Sequence, residues 1–148
     1  MVQVHTSLGG IPVQRAMLTE FRSLNPDDAL QTAIDHTLAG WQQDFPVVFG
    51  DRVLGVLTRE DVLRTIAQQG SGVHVREAMN REFKTVDSHD MLESALVVLH
   101  DCKCRSLPVV HDDQLVGMLT TDNVGEFLMI QSALQRARHG GPPRQAST

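Results

Sequence analysis

The chain has 148 residues, 41% hydrophobic and 21% charged, with net charge −5 and a pI near 5.7, close to an ordinary soluble protein. Arg and Lys are scattered among acids, so no basic stripe forms, and a nucleic-acid partner held mainly through its phosphates is excluded. No apolar run approaches a bilayer span, and Met1 to Gly10 lacks a secretory signal's basic and apolar regions.

Residues 1–12 read as an N-terminal extension. From Val13 the chain is one unit written twice. Placing Val13 on Val75, a constant offset of 62, aligns the halves without a gap as far as Val62 on Val124. "VQRAMLTEF" falls on "VREAMNREF", and "DFPVVFGDRVLGVLTREDV" on "SLPVVHDDQLVGMLTTDNV". Met17/Met79, Pro46/Pro108, Gly55/Gly117 and Thr58/Thr120 are identical pairs. Shared composition would not keep register over this length.

Each copy opens on a short helical stretch, around Ala16-Met17 and Ala78-Met79. A strand is expected next, at 21–24 and 83–86. A helix should follow: Asn25 suits its N-cap and Pro26 its first position, with Asp87 or Ser88 as the cap in the second copy. Leu30, Ala33, Ile34, Thr37 and Leu38 recur at helical spacing, as do Leu92, Ala95, Leu96 and Leu99. Gly40 suits a left-handed stop. "PVVF" (46–49) and "PVVH" (108–111) read as strands, with two-residue turns at Gly50-Asp51 and Asp112-Asp113. Return strands run over 52–58 and 114–120, and final helices begin at Arg59 and Thr121. The unit is β-α-β-β-α, and its small sheet leaves an apolar face that a second copy can cover. Copy one spans 13–70 and copy two 75–137, with a linker at Gln69 to Gly72. Residues 138–148, rich in Gly, Pro and polar residues, read as a disordered tail.

These residues make the chain resemble a known family, the tandem CBS domain or Bateman module, over residues 13–128. The resemblance rests on a strand, a helix, "PVV", a turn and "hhGhhT-x-x-[DN]" (h, apolar) before a last helix, present twice. It implies an α+β fold, two β-α-β-β-α repeats packed as a pseudo-twofold pair. It also implies a regulatory module that senses AMP, ADP, ATP or S-adenosylmethionine in clefts between the repeats and signals to a partner domain. The alternative is a structural dimerisation or interaction pair without a nucleotide ligand. The family's ribose-phosphate motif falls on Thr58 and Asp61 in copy one and on Thr120 and Asn123 in copy two. The opposite repeat would bring Thr85 to the first cleft and Ser23 to the second. The backbone before each "PVV" would meet the base, which points to Asp44-Phe45 and Ser106-Leu107.

The spacing also makes chemical sense unaided. A helix N-terminus suits phosphate, a hydroxyl beside it adds a donor, and a carboxylate one turn on can accept both ribose hydroxyls. Asn123 offers one carbonyl oxygen and no charge, which favours the Thr58/Asp61 cleft. A Thr before a helix with Asp three residues on is equally a capping arrangement. The stretches "QQDFPVV" (42–48) and "DNVGEFLMI" (122–130) are similar to the CBS pairs at the C-terminal end of site-2-protease-type membrane metallopeptidases. That likeness implies an excised regulatory part or a free-standing relative, because the chain lacks the peptidase's His-Glu-x-x-His.

Other features carry less. Cys102 and Cys104 are the only cysteines. One intervening residue makes a mutual disulfide awkward, so the pair reads as thiols in a reducing, cytoplasmic setting. His100, Cys102, Cys104 and His111 are zinc-ligand types at poor spacing, so no metal is expected. His89-Asp90, His100-Asp101 and His111-Asp112 are adjacent pairs whose side chains do not face each other on regular elements. No catalytic constellation is found, and the chain reads as a non-enzyme. Trp41 reads as a ring covering a helix end or as a stacking or docking contact. The long last helix (123–137) covers its own sheet or offers a homodimer face.

Overall fold

The computed structural model describes residues 10–40 and 42–140. The readings of Trp41, of residues 1–9 and of residues 141–148 lie outside them. Copy one opens on a single 3-10 turn (Val13–Arg15) and continues as α1 (Leu30–Leu38), β1 (Phe45–Phe49), β2 (Arg52–Leu57) and α2 (Arg59–Gln69). Copy two runs α3 (Val75–Ala78), β3 (Val86–Asp87), α4 (Leu92–Cys102), β4 (Ser106–His111), β5 (Gln114–Thr120) and α5 (Thr121–Gly140). The fold is α+β, with two small sheets, β1-β2 and β3-β4-β5. α5 takes in the first residues of the expected tail.

The hairpins fall on the two residues the turn chemistry indicated. Gly50 (φ 65) turns the first, and Asp112 (φ 53) with Asp113 (φ 65) turns the second. Both carry a register shift at matching places, Val47/Val48 and Val109/Val110. The first strands are shorter than expected. Leu24 makes a single parallel bridge to Val47, while β3 is two residues long and parallel to β4. The chain before Leu24 leaves the sheet, and Phe21 lines a cleft instead.

Asn25 and Asp87 do not cap α1 and α4. Each closes a turn ahead of its helix: Asn25 Oδ1 accepts from the Asp27 N–H, and Asp87 Oδ1 from the His89 N–H. The helices begin at Leu30 and Leu92, whose N–H groups donate to Val73 and Ile11 carbonyls from the chain entering the opposite copy, both within 3 Å. A backbone carbonyl from across the molecule does the work of a cap.

The same crossing governs the core. Ile11, Val13 and Ala16, from the start of copy one, pack with Leu92, Leu107, Val109 and Leu119 of copy two. Val75, Ala78 and Met79, from the start of copy two, pack with Leu24, Leu30, Phe45 and Leu57 of copy one. Each opening stretch also bridges the other copy's return strand, Leu18 to Met118 and Asn80 to Val56. Two identical pairs thereby acquire a cause. A Cβ on Gly55 would lie 2.9 Å from both the Asn80 carbonyl oxygen and the Met79 sulfur; one on Gly117 would lie 2.6 Å from the Met17 sulfur and 2.9 Å from the Leu18 oxygen. Each glycine makes room for the other copy's methionine and backbone.

Candidate functional site

Two clefts lie between the copies, of about 350 Å³ and 380 Å³, and their linings map onto each other through the repeat. The smaller holds Val56 and Thr58 from β2, Glu60 from α2, and Asn80, Glu82, Phe83 and Lys84 beyond α3. Lys103 to Leu107 form its opposite wall. The larger holds Met118 and Thr120 from β5, Asp122 from α5, and Leu18, Glu20 and Phe21 after the opening turn. Asp44, Arg105 and Ser106 line both.

These three residues form the wall between the clefts. Asp44 and Ser106 are repeat equivalents, and they meet: Ser106 Oγ donates to Asp44 Oδ2 at 2.8 Å. Asp44 Oδ1 accepts from the Arg59 N–H at the head of α2 (3.2 Å) and from the Arg105 guanidinium (3.4 Å). Arg105 also reaches Glu60 at 3.1 Å, which leans it toward the Thr58 cleft. Asp44 is 9% exposed, so its charge is placed among donors that satisfy it. An internal carboxylate thus already sits at the N-terminus of α2, where a ligand anion was expected.

The sequence-predicted residues divide. Thr58 and Leu107 line the smaller cleft and Thr120 the larger. Asp61, Asn123, Thr85, Ser23 and Phe45 are outside both linings. Phe45 has no exposed surface and packs in the core of copy one. Ser23 and Thr85 are exposed away from the linings. Asp61 closes a reciprocal capping box: Thr58 N–H donates to Asp61 Oδ2 (3.0 Å), and Asp61 N–H donates to Thr58 Oγ1 (3.1 Å). Arg64 takes the other carboxylate oxygen at 2.5 Å. Asn123 does something a carboxylate cannot. Its Nδ2 donates to the Ala16 carbonyl at 2.6 Å and ties α5 to the opening of copy one. Sequence reasoning placed Asp44 and Ser106 only through their backbone and missed Arg105. The signal was that position 44/106 pairs unlike residues able to bond each other.

The clefts differ in charge. The Thr58 cleft sets Lys84, Lys103 and Arg105 against Asp44, Glu60 and Glu82. The Thr120 cleft has Arg105 alone against Glu20, Asp44 and Asp122.

The cysteines correct the free-thiol reading. Cys102 and Cys104 form a disulfide with Cα atoms 5.2 Å apart. Lys103, between them, is the left-handed end of α4 (φ 56, ψ 37) and turns the chain back far enough to bring its neighbours into bridging range. Cys104 lines the Thr58 cleft, so the bridge stiffens one rim. With their sulfurs bonded to each other, neither cysteine of the His100, Cys102, Cys104 and His111 set offers a free thiolate. No helix among the described residues is long and apolar enough to cross a membrane.

The CBS domain family model matches residues 13–68 and 75–129. Among curated proteins, a CBS domain-containing protein of Bacillus subtilis is 30% identical over 109 residues, 72% of this chain and 78% of that protein. Homoserine O-acetyltransferase of Methanohalophilus mahii is 27% identical over 125 residues, 83% of this chain but 26% of the enzyme. The matched part spans under a third of that enzyme and of several other curated relatives. Among solved structures, AcuB of Vibrio cholerae superposes with a TM-score of 0.76 at 23% identity, covering 90% of this chain and 98% of that one. CBSX2 in complex with AMP gives 0.70 at 25% identity, covering 85% and 98%. A CBS domain pair in complex with 5′-methylthioadenosine and S-adenosyl-L-methionine gives 0.72 at 16%, covering 81% and 97%.

Proposed function

The chain belongs to the CBS domain family as a tandem pair, and from that premise we propose that it is a regulatory module binding an adenosine compound in the Thr58 cleft. One observation carries the choice of cleft: Lys84 and Lys103 join Arg105 there, so the cleft balances its acids and accepts an anion, while its twin carries two acids in excess. Phosphate would lie on these lysines, because Asp44 already occupies the Arg59 N–H at the head of α2. Thr58 would meet the ribose. Asp61 acts through Thr58, holding it by the reciprocal cap, and is a positioning residue in this reading. The solved pairs that hold AMP and S-adenosylmethionine support the ligand class.

The ligand would signal by differential binding. It favours one arrangement of the two copies, and a partner domain reads that arrangement. A second copy of the chain is one such partner, supported by exposed Leu63 and Ile66 on α2 and Met129, Ile130 and Leu134 on α5. A membrane-metallopeptidase domain is another, supported by the likeness of "QQDFPVV" and "DNVGEFLMI". The Cys102–Cys104 disulfide removes the free-thiol argument for a cytoplasmic location.

A purely structural pairing is the second reading. It is favoured by Asp61, whose two oxygens are already held by Thr58 and Arg64. Thermal-shift measurements with AMP, ADP, ATP and S-adenosylmethionine separate the two. A ligand at a hundredfold excess over its Kd should stabilise the fold by about 2.7 kcal/mol. Lys84→Ala should weaken ATP more than AMP. Silence with all four compounds leaves the structural reading standing.

A further inference from the structure

Three donor side chains converge at the far end of β3. Asp87 ends the strand, His89 follows in the turn, and His111 ends the neighbouring β4. His111 Nδ1 lies 3.3 Å from Asp87 Oδ1, and His89 Nδ1 lies 4.0 Å from the same oxygen. The imidazole centroids are 4.3 Å apart, and one ligand atom from each of the three residues lies within 4.8 Å of the others. In a tetrahedral site with bonds of about 2.0–2.1 Å, ligand atoms stand about 3.3 Å apart. The Asp87–His111 pair already has that spacing, and His89 Nδ1 is within 1 Å of it from the Asp87 oxygen.

The frame is rigid where it must be and open where an ion would enter. Asp87 pairs with Val110, Ser88 N–H donates to the Val110 carbonyl, and Asp90 Oδ2 accepts from the Asp87 N–H. The His89 backbone N–H holds the Asp87 carboxyl below the usual carboxylate range, with His111 adding to the effect. The three side chains remain partly exposed. Asp112, in its left-handed turn position, brings Oδ2 to 3.6 Å from His111 Nε2. Adjacent His and Asp do face each other here, because the hairpin turn departs from strand geometry.

Copy one shows that the fold does not require this cluster. It builds the same turn from Asn25 and Asp27, and it has Phe49 where copy two has His111. The imidazoles are therefore additions to a turn that closes without them.

We propose that Asp87, His89 and His111 bind one divalent transition-metal ion suited to imidazole and carboxylate donors, such as zinc, with His111 ligating through Nδ1 and water completing the shell. Calorimetric titration of the untagged, chelator-stripped chain with Zn²⁺, repeated with Co²⁺ by visible absorption, tests it. One equivalent should bind below about 100 µM. His89→Asn and His111→Asn should each weaken it roughly tenfold or more. Circular dichroism confirms that each variant is folded, and Cys102→Ser/Cys104→Ser should leave binding unchanged. Absence of stoichiometric binding, binding that survives the double histidine variant, or binding that follows the cysteines overturns the assignment.

Discussion

The two clefts are one container built twice and furnished differently. Both are floored by a glycine-bearing return strand on which the opposite copy lays a methionine, and both share the Asp44–Ser106 wall. Yet one gains two lysines and the other an acid surplus. One has Asp61 turned back onto its own cap, while the other has Asn123 reaching across to Ala16. Duplication fixed the shape, and single substitutions at equivalent positions then divided the roles. At position 123 copy two ties α5 to the opening of copy one, a contact that Asp61 in its capping box does not make.

The largest effect should come from filling the shared floor. Gly117→Ala drives a Cβ against the Met17 sulfur and the Leu18 carbonyl, and Gly55→Ala does the same against Met79 and Asn80. Methionine can move and a carbonyl cannot, so each variant should lose about 1–3 kcal/mol. The two losses should be similar, because the carbonyl that cannot yield lies at 2.9 Å from the added Cβ in both. Denaturant midpoints read the losses. Negligible losses would mean that the opening stretches do not bear on the strands as tightly as the geometry says.

Next come the exchanges at 61 and 123. Asn123→Asp removes the side-chain amide donor to Ala16 and sets a carboxylate against that carbonyl, which should cost about 1–3 kcal/mol. Asp61→Asn keeps an oxygen for the Thr58 N–H and loses charge only toward Arg64, whose side chain is 54% exposed; about 0.5–1 kcal/mol is expected. The reverse order in urea unfolding would remove the structural distinction between the clefts.

Much of this was legible in the chain. Constant register gave the repeat and both hairpins, because those follow from local turn chemistry and period. The helix starts were misplaced, because the first N–H groups of α1 and α4 are met by carbonyls some forty to eighty residues away. No local pattern reports such a partner. For the same reason the motif Thr-x-x-Asp pointed to a site without saying which way Asp61 faces. Arg105, Lys84 and Lys103 escaped notice because their convergence depends on the copies crossing. The disulfide was misread because a left-handed Lys103 was not foreseen.

The smallest effect concerns the hairpin tips, at the other end of the contact between copies. Asp113 holds φ 65, a region where a side chain costs energy and glycine does not. Asp113→Gly should therefore gain a few tenths of a kcal/mol, after the added entropy of the unfolded chain is subtracted. Gly50→Ala, which forces a side chain into φ 65, should lose about 1 kcal/mol. Asp113 also faces Arg52 of copy one at 3.8 Å, with the two side chains 85% and 71% exposed, so that pair should contribute almost nothing. The adjacent Leu115 N–H to Asp51 carbonyl bond, at 2.9 Å, is backbone and survives the substitution. A fall in melting temperature for Asp113→Gly would show that the tips hold the copies together through charge. A rise places that task on the backbone and on the Asp44–Ser106 wall, and leaves the two hairpins unequal only in how each affords its turn.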